Sequence, residues 1–133
     1  MFKEYELFLD SIGSEDYWSD LGMNIARAKV TEFDSSDWLK LETVLKAKSD
    51  DWQVRCAESL SDSNDERAIN ILLELAKSED ESVTIHAIES IESIFSAGHF
   101  FDSARVVHAL SEEVEASTRT VKLMVATLIK KIK

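Results

Sequence analysis

Apolar residues recur along this chain at spacings of three and four, the period of helices with one buried face. Eight amphipathic segments follow from that pattern, over residues 2–12, 15–32, 36–48, 50–61, 65–77, 81–96, 101–114 and 118–132. The first places Phe2, Tyr5, Leu7, Phe8, Leu9 and Ile12 inward, and the second Trp18, Leu21, Ile25, Ala28 and Val30. The third turns Trp38, Leu41, Val44 and Leu45 inward, and the fourth Val54, Ala57 and Leu60. Ala68, Ile69, Leu72, Leu73 and Ala76 line the fifth, and Ile85, Ile88, Ile91 and Phe95 the sixth, where three-and-four spacing overrides the β-branched content. The seventh carries Ala104, Val107, His108, Leu110 and Val114, and the eighth Val121, Met124, Val125, Leu128 and Ile132. Stop and start signals sit between them. Ser14, Ser35 or Ser36, and Ser49 are expected N-caps, acids occupy first turns, and Gly98 is expected to end the sixth helix. Gly22, inside the second segment, predicts close approach of a neighbour.

The fourth and sixth segments are also alike. Val54-Arg55-Cys56-Ala57-Glu58-Ser59-Leu60 reads against Ile85-His86-Ala87-Ile88-Glu89-Ser90-Ile91, 31 residues later. Each follows an Ala-Lys-Ser turn rich in acids, at Ala47-Lys48-Ser49-Asp50-Asp51 and Ala76-Lys77-Ser78-Glu79-Asp80. A repeat of this length with two helices per unit predicts stacked hairpins, here 2–32, 36–61, 65–96 and 101–132. The expected fold is a single all-α domain over 1–133, a right-handed α-solenoid of about four antiparallel hairpins and about eight helices. Irregular outer hairpins suit the ends of such a stack, which must face water.

Composition agrees and adds one constraint. There is no proline and only three glycines, which disfavours a turn-rich β fold. The net charge is −11, the wrong sign for direct nucleic-acid binding or for an anionic membrane surface, and the right sign for a basic protein partner. Acid is concentrated in residues 1–34 (three basic, eight acidic) and 62–97 (two basic, nine acidic), whereas 98–133 carry six basic and four acidic side chains. No stretch matches a signal peptide or a membrane span, so a cytoplasmic location is expected. Cys56, the sole cysteine, reads as a small core residue.

Catalytic signatures are missing from the sequence, and no cofactor or metal is expected. His86-x-x-Glu89 offers two ligands on one helical turn but lacks a second such pair. Asp62-Ser63-Asn64-Asp65-Glu66 lacks the glycine and distal glutamate of a calcium loop and reads as a polar turn with an N-cap. The acids are more informative. The repeat register places Glu58 beside Glu89 on adjacent helices, with Asp51, Glu81 and Glu92 one or two turns away. Asp51, Glu58, Glu81, Glu89 and Glu92 are therefore expected to form one acidic wall for a basic partner. Trp18, Trp38 and Trp52 stand near acids in first turns; the expectation is that Trp18 and Trp38 pack inside while Trp52, off its helix's apolar stripe, is an exposed anchor. Phe100 and Phe101 are expected to staple the seventh helix to the stack.

Two resemblances follow from these residues. Asp50-Asp51 followed by Val54-Arg55-x-Ala57-x-x-Leu60 resembles the second helix of a HEAT-like repeat, which implies an α-solenoid and no particular activity. The length, the acidity and the run Asp16-x-Trp18-x-Asp20-Leu21-Gly22-Met23-Asn24-Ile25-Ala26-Arg27 resemble small bacterial immunity proteins of contact-dependent toxin systems. That resemblance implies a non-enzymatic protein that binds a cognate basic toxin domain, often a nuclease, and occludes its active or substrate-binding site. A general scaffold or adaptor is the alternative, and a helical-repeat enzyme such as a chromophore lyase a more distant one.

Overall fold

A computed structural model describes residues 1–99, 102–113 and 117–132. Every regular element in it is helical: α1 (Phe2–Asp10), α2 (Glu15–Tyr17, Trp18–Gly22 and Met23–Val30 run together), α3 (Ser35–Val44, tightening over Leu45–Ala47), α4 (Asp50–Ser59), α5 (Glu66–Ala76), α6 (Glu81–Ser96), α7 (Ser103–Glu113) and α8 (Arg119–Ile132). Phe100, Phe101, Val114 and Lys133 lie outside the described residues.

Local chemistry starts and stops these helices where the sequence indicates. Ser14 accepts from the Tyr17 amide, Ser49 from that of Trp52, Asp65 from that of Arg67 and Asp80 from that of Val83. Gly98, at φ 92°, follows α6 in the left-handed conformation that favours glycine. The α3 cap differs from expectation. Asp34 rather than a serine occupies it, because Asp37 three residues on completes a reciprocal capping box.

The second helices of successive pairs, α2, α4, α6 and α8, are neighbours in that order, while α1 touches α3 and α5 touches α7. That order is what stacked hairpins predict for their second helices, whereas α3 is not among the main neighbours of α4 or α5. α6 lies at the centre, against α4, α5 and α8, and buries Ile88, Ile91 and Ile94, each contributing about 2 kcal/mol by removal from water. The serines of the repeated Glu-Ser pair act as rivets between units. Ser59 Oγ lies 2.6 Å from the Tyr5 hydroxyl of the first hairpin, and Ser90 Oγ donates to the Ala57 carbonyl of the second at 2.7 Å. Arg67 ties α5 back to α3, donating to Ser35 at 2.9 Å with its guanidinium 5.8 Å from the centre of the Trp38 ring.

Two expected faces turn out rotated. In α2 the buried residues are Trp18, Gly22, Ala26 and Val30, whereas Leu21, Ile25 and Ala28 are exposed. The cause is a π turn over Trp18–Gly22, in which the Met23 amide reaches back to the Trp18 carbonyl. That wider turn offsets the drift that a spacing of four accumulates in an α-helix of about 3.6 residues per turn, so an i, i+4, i+8 series stays inward. Gly22 permits the crowding: a Cβ there would sit 3.0 Å from Trp18 Cε3, 3.3 Å from Tyr17 Cε1 and 3.4 Å from Ile12 Cδ1. In α7 the inward residues are Val106 and Leu110, while Ala104 and His108 face solvent, His108 beside Glu112 at 3.3 Å. Leu7 of α1 is likewise exposed.

Candidate functional site

α2, α4 and α6 lie side by side, and one notch between them brings acidic and basic side chains of all three together. It has a volume of about 270 Å³ and is lined by Met23 and Arg27 of α2, Glu58 of α4 with Ser61 just beyond it, and His86, Glu89 and Ser90 of α6. The repeat register builds this arrangement. Each Glu-Ser pair turns its serine into the preceding hairpin, which leaves Glu58 and Glu89 on the outer side of adjacent helices. Glu58 is half-buried, and Trp18 Nε1 donates to its Oε1 at 3.3 Å. Burial pushes its carboxyl pKa up, and the carboxylates of Glu15 and Glu89 push the same way; His86 and the Trp18 hydrogen bond oppose them without cancelling the rise.

Cations at the edge of the notch are already engaged. Arg27 donates to Ser61 Oγ at 2.6 Å and lies 3.8 Å from Asp62, and Arg55 lies 3.4 Å from Glu15. Sequence reasoning paired Glu58 with Glu89 and considered His86 only as a metal ligand beside Glu89; it missed Glu15. The signal for Glu15 was weak, a first-turn acid on a helix whose placement against α4 no local pattern reveals. Among the described residues, no group of three or more His, Cys, Asp or Glu is placed to hold a metal ion.

The other expected members of the acidic wall stand elsewhere. Asp51 is exposed in the first turn of α4, away from the notch. Glu81 lines a separate cleft against Thr118 and Val121. Glu92 forms an ion pair with Lys131, because α8 packs along α6 and brings its basic end across. Trp52 is not an exposed anchor. It is 3 % exposed, packed edge-to-face 6.0 Å from Tyr5, with Lys48 Nζ 5.1 Å from its ring centre. α1 lies across the first turn of α4 and covers it, which no feature of residues 49–61 foretells. Trp18 and Trp38 are core residues, as expected.

A surface groove of about 720 Å³ runs between the two Ala-Lys-Ser turns. Lys46, Lys48 and Lys77 stand there among Asp50, Glu74, Glu79 and Asp80, so charges of both signs are mixed along it. No protein-family model, curated protein or solved structure matches the chain. Among the described residues no helix is long and apolar enough to cross a membrane.

Proposed function

We propose that this protein binds a basic protein through the acidic surface centred on Glu58 and Glu89, with Glu15 at its edge, and neutralises it by occlusion. One observation carries the reading: the carboxylates of Glu58 and Glu89, from two adjacent helices, line one notch, and burial, together with repulsion from Glu15 and Glu89, already works against the charge of Glu58. Such an arrangement costs stability in the free protein. An incoming lysine or arginine relieves the repulsion and supplies the missing counter-charge, so the same carboxylates that strain the free protein strengthen the complex. Among basic partners, a toxin domain is the most specific candidate, given the resemblance of residues 16–27 to immunity proteins and the net charge of −11.

Charge changes in the notch test this. The wild-type chain, Glu89→Lys and Glu58→Gln serve as baits in lysate of the native host, captured proteins are identified by mass spectrometry, and each is then expressed alone and with the wild-type chain. The expected result is a basic protein held by wild type, lost or weakened at least tenfold by Glu89→Lys, and toxic unless the wild-type chain accompanies it. Equal capture by all three baits would refute the assignment of the notch. A captured partner without toxicity would refute the immunity role.

A further inference from the structure

The outward side of α2 carries a second feature that the notch does not use. Tyr17, Leu21 and Ile25 are 40 %, 58 % and 39 % exposed. They fall at i, i+4 and i+8, and the π turn that keeps Trp18, Gly22 and Ala26 inward keeps these three in register beside them. The result is one continuous apolar strip. Asp16 and Asp20, each one residue earlier, are exposed and form a parallel acidic row on the crest of the helix. Met23 and Arg27, each one residue after an inward position, face the opposite flank and line the notch. The crest of acids therefore separates the apolar strip from the notch. α1 also packs on α2, with the Phe8 ring 6.5 Å from that of Tyr17, yet among the described residues Leu21 and Ile25 stay exposed.

We infer that this face of α2 is part of the partner's landing surface and takes an amphipathic basic helix, its apolar side chains on Tyr17, Leu21 and Ile25 and its lysines or arginines on Asp16 and Asp20. The inference rests on the reading that the partner is a basic protein. Charge complementarity selects this occupant. A second copy would set rows of aspartates close together on chains that each carry −11, and an anionic membrane would meet the same repulsion. Clustered apolar side chains rimmed by charge are the usual anatomy of an interface core, and an acidic crest steers a basic helix onto it.

The test uses the full chain and a synthetic amphipathic helical peptide with leucines on one face and lysines beside them. Controls are the same peptide with glutamine or with glutamate in place of lysine. Binding is followed by backbone amide shifts and by titration, for wild type, Leu21→Ser/Ile25→Ser and Asp16→Lys/Asp20→Lys, each checked for fold by circular dichroism. The lysine peptide is expected to shift the amides of residues 16–25, to bind at least tenfold more weakly to either double variant, and to weaken with salt; the glutamate peptide is expected not to bind. Equal affinity for the double variants, or shifts confined to another face, would overturn the proposal. So would concentration-dependent dimerisation of wild type abolished by Leu21→Ser/Ile25→Ser, which would assign the strip to self-association. If the partner captured from the host depends on Glu58 and Glu89 but ignores Leu21→Ser/Ile25→Ser, this inference fails and the notch stands; dependence on the strip alone refutes the notch.

Discussion

Asp37 offers the sharpest test of how this chain is held together. It lies in the first turn of α3, is 6 % exposed, and each of its carboxylate oxygens accepts a main-chain amide. Oδ1 takes the Phe2 amide at the start of α1 at 3.0 Å, and Oδ2 takes the Asp34 amide at 2.9 Å, while Asp34 Oδ1 returns a bond from the Asp37 amide at 2.9 Å. One side chain thus closes the capping box of α3 and caps α1, 35 residues away in sequence. Hydrogen bonds to a charged group contribute about 1.5–3 kcal/mol each, and buried donors left unpaired lose most of that. Asp37→Ala removes two of them. Water reaches the part-buried Asp34 amide more readily than the buried Phe2 amide and recovers part of the loss, so a destabilisation of about 3 kcal/mol is expected. Asp34→Ala, which loses one cap, should cost about 1 kcal/mol. The two should be less than additive, because each change breaks the same box. Urea unfolding followed by fluorescence of the three tryptophans measures all of this.

The pH dependence has a definite sign. The Asp34 amide, followed by that of Phe2, holds the Asp37 carboxyl below its ordinary range against the opposing effect of burial. A folded-state pKa below the unfolded value gives stability that is complete above the unfolded carboxylate range and lost as pH falls through the folded value. The difference in stability between wild type and Asp37→Asn should therefore shrink below about pH 4. An Asp37→Ala cost no larger than that of Asp34→Ala would refute the claim that this carboxylate joins α1 to α3.

Other outcomes follow from single residues. Glu58 has the opposite linkage: its folded pKa is raised, mainly by burial, so wild type loses stability as pH rises from the unfolded toward the folded value. Glu58→Gln, whose amide oxygen still accepts from Trp18, should then raise the urea midpoint at pH 7 and do so less at pH 4. Gly22→Ala gains helix propensity of about 1 kcal/mol but drives a methyl to 3.0 Å from the buried Trp18 ring, and a net loss of about 1 kcal/mol by thermal or urea unfolding is expected. Leu72→Ala opens a cavity in the middle of α5, where Leu72 is fully buried, and should cost about 2–5 kcal/mol in the same assay. Cys56 is buried and its thiol is pushed up to about 12, so a thiol reagent at pH 8 should leave the native protein unlabelled and react only as it unfolds; rapid native labelling would contradict its place in the core.

Information that acts over a few residues was readable along the chain. The α6 boundaries, the Ser14 and Ser49 caps, the left-handed Gly98 and the inward face of α5 all follow from composition and spacing, because caps, glycine conformations and amphipathic faces are decided within one or two turns. The repeat carried more than local structure. It placed Glu58 beside Glu89 across 31 residues, since equivalent positions of stacked units must be neighbours. Tertiary packing decided what lay beyond that reach. Trp52 is interior because α1 covers it, Glu92 is neutralised because α8 brings Lys131 to it, and Asp37 is a joint because the start of α1 arrives beside it. Leu21 and Ile25 face outward because a π turn around Trp18 shifts the phase of α2, a change of a fraction of a turn that reverses which side chains meet water. An amphipathic pattern shows that a helix has a face to bury; only the neighbours that arrive from elsewhere in the chain determine which residues that face finally includes.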